Sequence, residues 1–168
     1  SSLEIPVGQL TKPSVYTPDD LAAGLLPDGP VLIYDFDNYY MGGLVAEHLA
    51  DQGLKVSYAT PAGHASAWTF MTNEQPFVHR ALHDRNIDVS TQTLLMDFDG
   101  HSARLENIFT GAARSMEVQS VVIVGHRQPC DEVYQDLMAR EAEFADAGIK
   151  SVERIGDALA PGAIVHAV

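Results

Sequence analysis

Cysteine occurs once in these 168 residues, at Cys130, so the chain can hold neither an internal disulfide nor a thiolate cluster for zinc or iron–sulfur. Positive charge is scarce too. Ten Lys and Arg stand against 23 Asp and Glu, a net charge of −13 at neutral pH. The acids are spread along the chain rather than gathered in a tail. Such a surface repels phosphate backbones, and nucleic acid is not an expected partner. No apolar run approaches the roughly 20 residues that cross a bilayer, and residues 1–16 lack the basic and apolar blocks of a signal peptide. The expected setting is the cytoplasm, with no membrane partner. What is present is a hydrophobic content of 46% with 20% charged, enough for one domain with a substantial core.

Residues 1–16, with Pro6, Gly8 and Pro13, show no periodicity and read as an extended arm. "TPDDLAAG" (17–24) predicts a short helix, with Thr17 as cap, Pro18 in the first turn, Asp20 three residues on and Gly24 as the stop. "PVLIYDF" (30–36) predicts a strand buried on both faces, as at the centre of a parallel sheet. "YMGGLVAEHLADQG" (40–53) has helical spacing at Met41, Leu44, Val45 and Leu49, and "LKVSYAT" (54–60) is a second strand. Together they form a βαβ unit with a right-handed crossover.

Residues 63–86 start loosely and end in a helix around Phe77, Val78, Ala81 and Leu82. The stretch 87–100 alternates and turns at Asp99-Gly100, and 102–118 reads as two more strands about Gly111. "SVVIVG" (120–125) is another buried strand, and 130–148 predicts a helix from Asp131 to Gly148. A short strand, a Gly-Asp turn and a helix from Pro161 are expected to follow. The chain stops two turns into that last element, which suggests part of something longer. The fold class is therefore a Rossmann-like three-layer α/β domain: a central, mostly parallel sheet, helices on one face and an antiparallel β-meander on the other.

The turn after the first buried strand, "DFDNYY" (35–40), has no glycine. A dinucleotide fingerprint needs glycine there for the tight turn, for approach of the pyrophosphate and for helix–strand packing. Asp35, Asp37 and Tyr40 fill the three places. Two carboxylates would oppose phosphates at the helix N-terminus, and Tyr40 would hold the helix off the strand. Capping of the helix by Asp35 and Asp37, with Tyr39 and Tyr40 packed on neighbouring elements, explains the same residues without a ligand. An alternative is a magnesium-dependent phosphatase using Asp35 and Asp37, since "DFD" resembles the start of haloacid dehalogenase-type enzymes. The second "DFDG" (97–100) could add ligands, but neither Lys55 nor Lys150 is well placed for that chemistry. His79 and His83 stand i,i+4 on one helix, and with His64 and His101 they read as solvent-exposed. Trp68 and Phe70 read as core or interface anchors. Cys130 reads as a residue at a helix entry, with a nucleophile as the rarer alternative.

Three stretches carry a family resemblance: "VLIYDFDNYYMGGLVAEHLADQGLKVSYAT", "FVHRALHDRNIDV" and "SVVIVGHRQPCDEVYQDLMAREAEFADAGIKSVERIGDALAP". They resemble the C-terminal region of the trimethylamine, dimethylamine and histamine dehydrogenase family, within the wider 2,4-dienoyl-CoA reductase-like flavoenzymes. The resemblance spans about residues 30–168. It implies residues 1–29 as an arm and short helix, 30–150 as a Rossmann-like NAD(P)-binding-type domain, and 151–168 as the start of a return into an FAD/ADP-type domain. It further implies a module of a flavin-dependent oxidoreductase that oxidises or N-demethylates amines, with no catalytic residue and no cofactor in this chain. FMN, a 4Fe–4S cluster and, as a further candidate, ADP would belong to the full enzyme. Its partners would be a flavin-barrel domain or subunit and an electron-transferring flavoprotein. The reductase branch keeps its glycines and binds NAD(P); that branch, an NADH:flavin oxidoreductase, is the second alternative. "IGD" (155–157) is similar to a Gly-Asp motif used against a flavin or ADP, which makes Gly156 and Asp157 the candidate cofactor-binding residues.

Overall fold

Every residue of the strand Val31–Asp35 is buried, as an unbroken apolar run at the middle of a parallel sheet requires. The structure is a computed structural model that describes residues 14–126 and 129–159. It divides into two units, Ser1–Gly125 and His126–Val168.

In the first unit, the strands β1 (Val15–Tyr16), β2 (Val31–Asp35), β3 (Val56–Ala59), β4 (Asp88–Ser90) and β8 (Ser120–Val124) form one sheet in the order β1-β8-β2-β3-β4. All four pairings are parallel. The strands β5 (Thr93–Phe98), β6 (Ser102–Asn107) and β7 (Ala113–Glu117) form a separate antiparallel meander. The helices α1 (Pro18–Ala22), α2 (Tyr40–Asp51) and α3 (Gln75–Asp84) complete the unit.

Alternation along β2 sends its side chains into two cores. Val31 and Ile33 pack with Val45, Ala46 and Leu49 of α2 and Leu82 of α3, while Leu32 and Tyr34 pack with Leu95, Phe98, Ala103 and Leu105 of the meander. The expected three-layer α/β architecture is what the chain forms. At α1 the expected capping box is present: Thr17 accepts from the Asp20 N–H, and Asp20 reaches back to Thr17.

Three expectations need correction. The run 87–100 is not one strand but two, in different sheets. Gln92 takes φ +52° between them, turning the chain from the parallel sheet into the meander. In the second unit, helix α4 spans only Glu132–Met138 and buries no residue; one turn of 3₁₀ helix follows at Glu141–Glu143. Without an apolar face to pack, propensity alone does not hold a helix out to Gly148. The short strand expected after residue 149 is absent among the described residues, since 150–155 carry no regular structure. The helix expected from Pro161 lies outside the described residues. No helix among those described is long and apolar enough to cross a membrane.

Candidate functional site

The parallel strands β8, β2 and β3 run their C-terminal ends to one edge, the edge at which open α/β sheets hold ligands. The acidic turn lies there, between Asp35 at the end of β2 and Tyr40 at the start of α2.

Asp35 is fully buried. Its Oδ1 accepts the Asn38 N–H at 2.9 Å, and its Oδ2 accepts the Tyr58 hydroxyl from β3. Tyr58 Oη in turn accepts the Ser66 N–H at 3.2 Å. Burial pushes the Asp35 carboxyl up from 3.8 to about 6, opposed by the hydrogen bonds from Tyr58 and Asn38. Burial and the neighbouring carboxylate likewise hold the Tyr58 phenol above its ordinary range. The negative group thus sits inside, near the N-terminal end of α2, where helix N–H groups favour an anion.

Asn38 takes φ +62°, which its short polar side chain tolerates. Its Nδ2 donates to the Phe36 carbonyl at 2.8 Å, its Oδ1 accepts from Thr60 Oγ1 at 2.9 Å, and its carbonyl accepts the Trp68 N–H at 2.9 Å. The Trp68 bond fastens the segment 61–72, which ends in the 3₁₀ helix Ala67–Thr72, to the turn. On the other side, the Phe36 ring lies against Gly125 so closely that a β-carbon there would stand 2.6 Å from two ring carbons.

The position ahead of α2 is Tyr39, whose own side chain makes no cap bond, while the Asp35 carboxylate accepts the Asn38 N–H beside the helix start and turns inward to Tyr58. One expectation about the turn changes. Tyr40 does not hold the helix off the strand. It lies on the outer surface, donating its hydroxyl to Glu74, with Thr72 Oγ1 3.1 Å away. Close helix–strand approach comes from Gly42 instead, where an added β-carbon would stand 2.5 Å from Asp35 Cγ and 2.8 Å from its Cβ. Sequence reasoning missed Tyr58 and Gly42 as parts of this site.

The phosphatase alternative does not survive the geometry. A carboxylate buried against Tyr58 cannot reach a phosphate ester. Asp97 lies on β5 of the other sheet, and Asp99 Oδ1 accepts the N–H groups of His101 and Ser102 in a turn. Among the described residues no three His, Cys, Asp or Glu converge as cation ligands. His83 is exposed, but His79 is half-buried, with Nε2 3.2 Å from the Ala65 carbonyl and its ring 5.9 Å from that of His64. Trp68 and Phe70 are surface residues rather than core anchors. Cys130 is exposed just ahead of α4. In the second unit, Gly156 (φ +56°) opens a single 3₁₀ turn, Gly156–Ala158, and Asp157 is exposed. Nearby, Arg154 pairs with Asp131 and lies 4.8 Å over the Tyr134 ring.

Residues 16–125 match the family described as the OYE-like second alpha/beta domain. Dimethylamine dehydrogenase of Hyphomicrobium sp. (strain x) is 30% identical over 182 residues, covering 97% of this chain and 25% of the relative. The structure of histamine dehydrogenase from Rhizobium sp. 4-9 is similar at a TM-score of 0.85 and 37% identity, over 93% of this chain and 25% of that one. That of 6-hydroxypseudooxynicotine amine oxidase from Pseudomonas geniculata N1 gives a TM-score of 0.85 and 36% identity, over 94% and 23%. The chain spans about a quarter of the length of these relatives.

Proposed function

The chain belongs to the OYE-like second alpha/beta domain family, and from that membership we propose that it is the pyridine-nucleotide-type domain of a flavin-dependent amine-oxidising enzyme, with its dinucleotide crevice closed. The observation that carries the proposal is Asp35. Its carboxylate is tied to Asn38 and Tyr58 at the sheet edge where a dinucleotide domain holds its pyrophosphate. These residues do not suit a diphosphate: a buried carboxylate repels it, and the bonded segment 61–72 stands over the turn. The likeness to dimethylamine and histamine dehydrogenases supports an amine as the substrate of the whole enzyme.

In this proposal the domain is structural, and amine oxidation takes place on other parts of the enzyme. FMN would supply the oxidising chemistry there, and a 4Fe–4S cluster the electron exit to an electron-transferring flavoprotein. With one cysteine, this chain does not suit a cluster. Residues 30–150 then form the NAD(P)-type domain, and 151–168 begin the return toward an ADP-type domain. Gly156 and Asp157 would face an ADP there, through the exposed carboxylate of Asp157.

The test is the enzyme from its native source. The expected preparation is flavin-coloured, is bleached anaerobically by a secondary or tertiary amine, and stays oxidised with NADH or NADPH. Rapid bleaching by NADH or NADPH would overturn the closed crevice.

A further inference from the structure

The segment that covers the acidic turn also carries an apolar surface. Trp68, Phe70 and Met71 in the 3₁₀ helix are 59%, 69% and 73% exposed, and Phe77 at the start of α3 is 69% exposed. On α2, Tyr40 and Leu44 are exposed as well, the latter at 61%. Continuity follows from three contacts. Both helices are crossovers of one parallel sheet, and Arg85 near the end of α3 pairs with Glu47 and Asp51 near the end of α2. Their starts therefore lie together as well, where Tyr40 donates to Glu74. Gln75 bonds the Ala67 carbonyl and joins the 3₁₀ helix to α3. Six large exposed apolar side chains on these three joined segments exceed what single scattered surface residues account for, and such a cluster marks an interaction site.

Resting on the function proposed above, we infer that this face is the surface on which the domain docks against the remaining polypeptide of the flavoenzyme, and that the partner face is apolar with a basic rim. The relatives carry this domain in chains about four times as long, so each must hold it against other domains. Glu74 edges the patch beside Tyr40, and the net charge of −13 disfavours a second copy of this chain as the occupant. The bonds that close the crevice, from Asn38 to Thr60 and Trp68, also fix the backbone that presents Trp68, Phe70 and Met71. One arrangement of the loop gives up a ligand site and builds a docking face.

Peroxide oxidation followed by mass spectrometry reads the face at Met71, with Met96 of the meander, 43% exposed, as the reference. Met71 is expected to oxidise readily in the 168-residue chain alone and on the order of tenfold more slowly in the enzyme from its native source, with Met96 less affected. Phe70→Asp is expected to leave the unfolding midpoint of the chain alone unchanged and to lower that of the enzyme. Equal Met71 oxidation in the two preparations overturns the inference. So does protection in the chain alone that grows with concentration, which would assign the face to a second copy. A native preparation without flavin would instead refute the proposed function, a separate result from unprotected Met71 in a flavin-coloured enzyme.

Discussion

The carboxyl of Asp35 lies against Gly42, close enough that no β-carbon fits between the end of β2 and the first turn of α2. Gly42→Ala therefore has to move buried backbone or the bonded carboxylate. It is expected to destabilise the chain by about 3 kcal/mol in urea unfolding, the upper range for overpacking. Gly63→Ala, where an added β-carbon meets nothing within 4 Å, should change little. Asp35→Gly combined with Gly42→Ala should cost less than the sum of the two single changes, because the two sites share one clash.

Asp35 also gives stability a pH signature. Unfolded, it titrates near 3.8; folded, burial moves it to about 6. Between these values the folded chain keeps a proton that the unfolded chain has released. The stability it contributes is thus complete below about pH 4 and lost as pH rises through about 6. Asp35→Asn does not titrate, so its stability relative to the parent should climb over that window. About two pKa units correspond to about 3 kcal/mol. Urea midpoints of parent and variant across the window read this difference, in which the other 22 acidic residues cancel. A difference that stays flat would place Asp35 in water.

Two tyrosines next to carboxylates should behave differently. Tyr58→Phe removes the donor to a buried carboxylate and the acceptor of the Ser66 N–H. A loss of about 2–4 kcal/mol is expected, since a buried charge left short of partners is costly. Tyr40→Phe removes a bond at the exposed surface and should stay within about 0.5 kcal/mol. Denaturation midpoints for the pair decide whether the inner network or the outer one holds the segment 61–72.

The layers were legible because hydrophobic period and turn chemistry agree along most of the first unit. The unbroken run at 31–35 marks a strand with both faces covered, and the meander follows from alternation with Asp99-Gly100 and Gly111 as its turns. The split at Gln92 was not legible, because a residue with positive φ carries no apolar signal when it is not Gly, Asn or Asp. The helix expected over 130–148 rested on propensity, which burial did not support. At the site, the lack of glycine was plain, but its consequence was not. Ile33 pairs in register with Tyr58 across β2 and β3, and Asp35 lies two residues further on the same face. Alternation alone could therefore have set Asp35 inward beside Tyr58, had strand register been known. Gly42 gave no warning, as a glycine inside a helix pattern reads as a minor cost until the strand beneath it is placed.

The closed crevice is tested most directly by calorimetric titration of the chain with NADH and NADPH. The expected result is no saturable heat up to millimolar nucleotide, for the parent and for Asp35→Asn alike. Saturable binding in the micromolar range, with the diphosphate seated over residues 35–40 in a crystal of the complex, would contradict it.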